Sequence, residues 1–319
     1  MNLTNRLIWF LQVTIKVSVI LNLHLSVFHD WERVTELKEF CELTLDTIKP
    51  SAVLASGDLT DAKKKDGIGS TQYEGEWLAY HNVLTSGKVS EKTKWLDIRG
   101  NHDSFDVNNL ESPKNFYRKY SEQGQFHPRS YKYKVTNHAG MSLNMIAVDA
   151  CLDPGPKRPF NFIGNLDESE ILELQSLANN TKDPIVWFGH YPTSCIFTSG
   201  SENPMSVVYL CGHLHTLGGL VPQMYTMQNE GFAELELADW KDGRALVESR
   251  LNVKLTIYCT VKFLCRFRLI AFDQGSFSFI DIRHGQWPII LVTNPKIPWL
   301  SIRNMETEED RMANFKYIR

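Results

Sequence analysis

Residues 95–103 read Trp-Leu-Asp-Ile-Arg-Gly-Asn-His-Asp, and this stretch decides the fold. A short apolar run ends in glycine, which indicates a buried strand that delivers Asn101, His102 and Asp103 at its carboxyl end. In open α/β folds, ligands bind at that edge of the sheet. Taken alone, the same residues also suit an ordinary polar turn. The rest of the chain has to decide between a turn and a binding site.

Three further strand-like runs close on a glycine followed by a side chain that can bind a metal. They end at Asp58, at His190, and at His213 with His215. Four such units in one chain are hard to obtain from packing requirements alone. Their oxygen and nitrogen atoms form the mixed ligand set that suits Zn, Fe or Mn.

The chain resembles the calcineurin-like metallophosphoesterases. It does so through four motifs in the family's order, namely Gly57-Asp58, Gly100-Asn101-His102-Asp103, Gly189-His190 and Gly212-His213-Leu214-His215. The resemblance implies an α/β protein, a four-layer α/β/β/α sandwich with two facing mixed sheets and with metal ligands on loops at the strand ends. The set of motifs is specific, whereas any single motif is not.

The same resemblance implies hydrolysis of a phosphate mono- or diester with two divalent or trivalent ions, Zn, Mn or Fe. It places Asp58 between the two metals. It gives the first metal Asn22, His24 and His215, and the second metal Asn101, His190 and His213. His102 would stabilise or protonate the leaving oxygen, and Asp103 would orient the His102 ring.

The first motif departs from the family pattern because Asn22-Leu23-His24 stands where members have Asp-x-His. An amide oxygen can still bind a cation, but it lacks the negative charge of a carboxylate. Two other functions therefore remain open. One is a catalytically impaired scaffold or binding domain, and the other is a mononuclear zinc protein that uses Asn101, His190 and His213.

The apolar stretch at residues 7–25 has two interpretations. A signal-like or anchoring segment is one, although three polar residues interrupt the stretch and no small-residue cleavage site is evident. Its many β-branched residues suit a buried first strand equally well. We favour the strand because Asn22-Leu23-His24 follows it.

Residues 1–300 are predicted to form one phosphoesterase domain, with an insertion at 245–265 and a tail at 301–319 that is either flexible or the start of a truncated region. The insertion is too short and too interrupted by lysines to span a bilayer. The family members that this sequence resembles continue, after the phosphoesterase domain, into membrane-spanning helices. Their resemblance implies association with an endomembrane or the cell surface through a region missing from this chain.

Periodicity predicts helices from residue 31 to 48, over 74–86 and over 167–178, and strands over 131–135 and 143–149. The Pro/Gly-rich loop at 153–164 lies between a strand and a helix. Its Lys157 and Arg158 either contact a phosphate or serve a structural role.

Composition excludes several function classes. A net charge of −3 with both signs interspersed gives no basic stripe for nucleic acid. Six cysteines without Cys-x-x-Cys pairs indicate neither a zinc knuckle nor a dense disulfide framework. No Gly-rich phosphate loop of the Walker type occurs, which disfavours a nucleotide triphosphatase of that class.

Overall fold

A computed structural model describes most of the chain. The described residues are 15–20, 22–198, 208–215, 225–229, 231–236, 240, 266–273 and 276–293. The predicted insertion at 245–265 and the tail at 301–319 lie outside them, as do residues 1–14. Within the described ranges, no helix has both the length and the apolar character needed to cross a membrane.

The described elements alternate between strands and helices. In chain order they are β1 (Ile15–Ile20), α1 (Glu32–Glu39), α2 (Leu45–Ile48), β2 (Ala52–Ser56), α3 (Glu74–Ser86), α4 (Val89–Lys92), β3 (Lys94–Ile98), α5 (Asn101–Ser104), α6 (Phe116–Tyr120), β4 (Tyr131–Thr136), β5 (Ser142–Val148), β6 (Gly164–Leu166), α7 (Glu168–Asn179), β7 (Ile185–Gly189), β8 (Ile196–Thr198), β9 (Val208–Cys211), β10 (Tyr225–Met227), β11 (Ala233–Glu236), β12 (Arg266–Asp273) and β13 (Ser276–Arg283). A π-helical segment, Phe40–Thr44, joins α1 to α2.

Two mixed sheets contain most of these strands. The first runs in the order β13-β12-β1-β2-β3, with β1, β2 and β3 parallel and β12 and β13 antiparallel to their neighbours. The second runs in the order β10-β11-β9-β7-β5-β4, with a parallel centre and an antiparallel strand at each edge. Strands β6 and β8 form a separate parallel pair.

The sheets pack face to face and helices cover their outer faces. Alternate residues of each strand enter different cores, as the two-residue period of a strand requires. In β2, Leu54 packs between the sheets while Val53 packs against the helices on the other face. A third core lies between the second sheet and α7, where Trp187 and Leu174 meet. The predicted four-layer sandwich with two facing mixed sheets is confirmed.

The predicted elements match the observed ones closely. The helix expected at 74–86 is α3, and the helix expected at 167–178 is α7, shifted by one residue at each end. The β-branched stretch before Asn22 forms β1, which pairs with β2 and β12, so its residues 15–20 are the expected strand. The helix expected from residue 31 to 48 is one helical stretch interrupted by the π-helical segment.

A buried ion pair ties the two sheets together beside the predicted site. Arg99 follows β3, and its Nε donates to Oδ2 of Asp149, which follows β5, over 2.7 Å. Both side chains are fully buried. The Arg99 guanidinium also reaches Asp153, at 3.3 Å, and Asp153 in turn pairs with Arg129. A lone charge at this depth would be costly, so the network holds only if each charge keeps its partner.

We expect Arg99→Met to lower the free energy of unfolding by about 3 to 5 kcal/mol, because it leaves the Asp149 carboxylate buried without its partner. Urea unfolding followed by tryptophan fluorescence measures this change. The control is Arg118→Met, which removes a pair between Arg118 and the exposed Glu111 and should cost under about 1 kcal/mol. Equal effects of the two substitutions would contradict the structural role given to Arg99.

Candidate metal centre

The strands deliver the predicted site residues to one edge of the sandwich. Asn22 and His24 follow β1, Asp58 follows β2, and Asn101 follows β3. From the second sheet, His190 follows β7, and His213 and His215 follow β9. Because the parallel strands end at the same edge, side chains from both sheets converge there.

Several of these residues adopt left-handed backbone conformations, with positive φ at Asn22 (49°), His24 (45°), Asp58 (50°), His213 (78°) and His215 (50°). Positive φ is uncommon for residues other than glycine. Such strain concentrates at functional sites, where the surrounding structure enforces it. Here the unusual conformations occur directly after β1, β2 and β9, where the chain delivers these side chains to the common edge.

Two glycines make room for Asp58. A Cβ on Gly57, whose φ is 91°, would lie 2.8 Å from the Cα of Gly100. A Cβ on Gly100 would lie 2.2 Å from Oδ1 of Asp58. Neither position has space for a side chain, which explains why both motifs carry glycine before the functional residue.

One half of the site lies on the Oδ2 side of Asp58. Nε2 of His24 is 3.4 Å from this oxygen and 3.3 Å from Nε2 of His215. Nδ1 of His24 faces Oδ1 of Asp61 at 3.2 Å, a carboxylate that favours a proton on Nδ1 and a lone pair on Nε2. The side-chain oxygen of Asn22 is buried and has no hydrogen-bond partner among the residues that the structure describes.

The other half lies on the Oδ1 side of Asp58, 3.4 Å from Nε2 of His190. Oδ1 of Asn101 is 2.8 Å from that nitrogen and 3.0 Å from Nδ1 of His213. The two ring nitrogens are 3.1 Å apart. Four ligand-type atoms from both sheets therefore meet in one place.

The outer nitrogens of these imidazoles fix where the protons lie. Nδ1 of His190 is 3.2 Å from the carbonyl oxygen of Ser56, and Nε2 of His213 is 2.8 Å from that of Phe162. A carbonyl oxygen only accepts, so each outer nitrogen carries the proton and each inner nitrogen presents a lone pair. The inner nitrogens, the Asn101 oxygen and the Asp58 oxygen are then all acceptors, and a cation between them satisfies all four.

Burial works against charge on these groups when no cation is bound. Burial raises the pKa of Asp58 above the usual range of a carboxyl group. It lowers the pKa of His190 to about 3 and that of His213 to about 2, so both rings stay neutral near pH 7. Neutral imidazoles and a carboxylate are the forms that bind metals, and a bound cation would bring the pKa of Asp58 down again. The residues therefore fit the metal that the motifs imply.

His102 lies at the edge of the same group. Its Nε2 is 4.0 Å from Oδ2 of Asp58, and its Nδ1 is 2.6 Å from the carbonyl oxygen of Asp61. Among the residues that the structure describes, His24, Asp58 and His102 offer ligand atoms that all lie within 4.8 Å of one another. His102 thus presents Nε2 to the space that the predicted ligand residues surround.

The structure places the carboxylate of Asp103 against the backbone. It accepts backbone N–H groups of Leu59, Thr60 and Gly100 over 2.8 to 3.1 Å, because α5 starts at Asn101 and places Asp103 where it can reach back to the chain. Nδ1 of His102 faces the backbone carbonyl of Asp61. Asp103 therefore holds the loop that carries Asp58, and its predicted orientation of the His102 ring stays a prediction.

Asp61 is the main residue that the sequence interpretation missed. It is buried, it faces Nδ1 of His24, and its carboxylate also binds Nζ of Lys63 at 2.8 Å. A signal was present, because a second Asp follows Asp58 after three residues. The carbonyl groups of Ser56 and Phe162, in contrast, have no signature in the sequence, since every residue has a carbonyl.

Comparisons with known proteins identify the family of the chain. The sequence model of the calcineurin-like phosphoesterases matches residues 23–217. The chain is 42% identical over 99% of its length to transmembrane protein 62 of Mus musculus, and 27% identical over 98% to a putative metallophosphoesterase of Arabidopsis thaliana. It spans 45% and 44% of these two relatives, which is less than half of each.

A solved structure shows the same fold. A dimetal phosphatase from Danio rerio superimposes with a TM-score of 0.54 at 10% identity, over 85% of this chain and 99% of that one. The family match covers more than half of the sequence and includes every motif from His24 to His215. The chain therefore belongs to the calcineurin-like phosphoesterase family.

Proposed function

We propose that this chain is a hydrolase that cleaves a phosphate mono- or diester through a two-metal site centred on Asp58. The observation that carries the proposal is the meeting of four ligand-type atoms, from Asp58, Asn101, His190 and His213, while the outer nitrogens of both imidazoles face carbonyl oxygens. The fold itself implies a phosphate-ester substrate and divalent metal ions. Two occupied positions, and Zn, Mn or Fe as their metals, belong to the proposal.

The proposed ligand sets share Asp58. Oδ2 of Asp58 serves the position of Asn22, His24 and His215, and Oδ1 serves that of Asn101, His190 and His213. Bound there, the ions would polarise the phosphoryl oxygens and make an attacking water more acidic. The buried Asn22 oxygen, which has no hydrogen-bond partner within the described part of the chain, supports its assignment as a ligand.

His102 is proposed to protonate the leaving oxygen. The backbone carbonyl of Asp61 accepts from Nδ1–H of His102. This contact leaves Nε2 of His102 facing Asp58 and the space between the proposed ligands. A histidine near neutral pH is suited to this proton transfer. Asp61 also faces His24, so a single residue orients one proposed ligand and the proposed acid.

The neutral Asn22 favours a second candidate function. Among the predicted ligands of the His24 side, Asp58 alone carries a negative charge to compensate a cation, and Asp58 is shared with the other side. In this case the chain is a mononuclear metal protein, or a scaffold, that binds at the His190 side without turnover. Metal affinity at the His24 side separates the two candidates.

We further propose that the whole protein associates with a membrane. The support is the likeness to a relative whose name describes it as transmembrane, of which this chain spans 45%.

Asp58→Asn is expected to lower both metal affinity and diester hydrolysis by about 100-fold or more, because even the partners of metal ligands cost 10- to 100-fold when removed. Metal titration and hydrolysis of bis(p-nitrophenyl) phosphate measure the two effects. Asp66→Asn is the matched control, since Asp66 is exposed and accepts only local backbone N–H groups. Unchanged affinity and rate in Asp58→Asn would rule out the site.

Asn22→Asp is expected to tighten binding of the weaker metal by about 10- to 100-fold and to raise hydrolysis, because a full negative charge replaces a neutral amide. Calorimetric titration with Mn²⁺ checks the affinity. Asn109→Asp adds the same charge at an exposed position and serves as control. If both variants bind Mn²⁺ like the parent chain, Asn22 is not a ligand.

His102→Gln should slow hydrolysis of alkyl phosphate esters by about 100-fold or more, because an alkoxide needs a proton to leave. Hydrolysis of p-nitrophenyl esters should fall by less than about tenfold, since p-nitrophenolate leaves without one. His138→Gln, at an exposed position between β4 and β5, is the control. Loss of bound metal in His102→Gln would instead make His102 a ligand, and equal losses for both esters would refute its role as an acid.

A further inference from the structure

An exposed apolar surface adjoins the proposed metal site. We call it the apolar rim, and it consists of Phe160 (80% exposed), Phe162 (42%), Ile163 (39%) and Phe197 (66%). Single exposed apolar residues are common, but a group that includes three phenylalanines is not and marks a binding surface. Its position decides what it can bind.

The rim starts at a proposed metal ligand. The ring centroid of Phe162 lies 4.6 Å from that of His213, and the carbonyl of the same residue accepts from Nε2 of His213. Phe197 continues the surface, because β6 and β8 are parallel and place it beside Asn165. Ile163 precedes Asn165 by two residues, so Ile163 and Phe197 share one face of this pair.

The loop that carries the rim turns its polar groups toward the protein. Nδ2 of Asn161, which is buried, donates to the carbonyl of Asn101 and to Oγ of Ser104, each over 3.1 Å. This anchor fastens the loop to the residue that holds the second metal position. The aromatic side chains on either side of Asn161, those of Phe160 and Phe162, remain exposed to solvent.

The cationic residues of this loop also have protein partners. Nζ of Lys157 lies 3.2 Å from Oδ1 of Asp106, and Nη1 of Arg158 donates to the carbonyl of Gly67 over 2.8 Å. These contacts favour the structural alternative of the sequence interpretation over phosphate binding. What the loop presents next to His213 is therefore apolar surface.

We propose that the apolar rim binds the organic group of the substrate, so that the preferred substrates are soluble phosphate esters with an alkyl chain or an aryl ring beside the phosphate. This inference rests on the proposed function, because it places the phosphate at the metal site and the organic group over Phe162. Burial of the chain against aromatic rings removes apolar surface from water on both partners.

The test compares two esters with one leaving group, hexyl p-nitrophenyl phosphate and methyl p-nitrophenyl phosphate. The metal-loaded chain should hydrolyse the hexyl ester with a kcat/KM at least about tenfold higher, because five more CH₂ groups reach the rim. Phe160→Ser and Phe197→Ser should each lower that ratio several-fold, mainly by a slower reaction of the hexyl ester. Phe126→Ser, at a phenylalanine that is 74% exposed outside the rim, should leave the ratio unchanged.

A binding measurement separates this inference from the proposed function. Calorimetry on the metal-loaded chain with hexylphosphonate and methylphosphonate needs no turnover, and the hexyl compound should bind about tenfold more tightly. Equal rates for the two esters and equal binding of the two phosphonates would overturn the role of the apolar rim in substrate binding. The proposed hydrolase function would remain. In another outcome, the chain hydrolyses neither ester and still binds hexylphosphonate more tightly than methylphosphonate, with Phe160→Ser removing the difference. That result would overturn the proposed hydrolase function and support binding of the organic group by the apolar rim.

Two other outcomes overturn the inference. An equal loss of the ratio in Phe126→Ser would mean that the preference does not come from the rim. The chain could instead bind vesicles of a neutral phospholipid, lose this binding in Phe160→Ser, and show no difference between the hexyl and methyl compounds. This result would mean that the apolar rim binds a membrane surface and not the substrate.

Discussion

The buried carboxylate of Asp58, held between the imidazoles of His24 and His190, is the constraint on which the rest of the site depends. Desolvation opposes its charge, and the fold nevertheless prevents it from reaching water. The backbone N–H of His102 donates to Oδ1, and the carbonyl of Asp58 accepts from the backbone of His24. Both glycines beside it are needed, because any side chain there would collide with the carboxylate or its support.

The architecture follows from the need to surround this carboxylate. His24 and Asn101 come from the first sheet, and His190 and His213 come from the second, so neither sheet alone supplies the residues of either proposed metal position. Facing sheets with their parallel strands ending at one edge solve this problem. Arg99 follows β3 and Asp149 follows β5. Their ion pair couples the two sheets close to the proposed metal ligands. Charge is scarce in the site, since Asn22 adds none and Lys63 offsets part of the Asp61 charge.

The sequence predicted the parts of the site that depend on residue type. A strand followed by glycine and a polar side chain is a local pattern, and its repetition predicted that Asp58, His190 and His213 lie at one edge of the sandwich, where the structure brings them together. Adjacency in sequence suggested a contact of Asp103 with His102, whereas the helical turn at Asn101 directs the Asp103 carboxylate to the backbone. The supporting carbonyls of Ser56 and Phe162 depend on how distant segments meet, which no local pattern contains.

The apolar rim was equally inaccessible to sequence, because phenylalanine usually predicts core. Only the pairing of β6 with β8 and the inward anchor of Asn161 show that Phe162 and Phe197 face outward.

The central claim is that Asp58 lies between two metal ions. Anomalous diffraction from crystals of the chain grown with Mn²⁺ tests it most directly. The account predicts two peaks about 3.5 to 4 Å apart with Asp58 between them. A single peak beside His190, or none near Asp58, would contradict it.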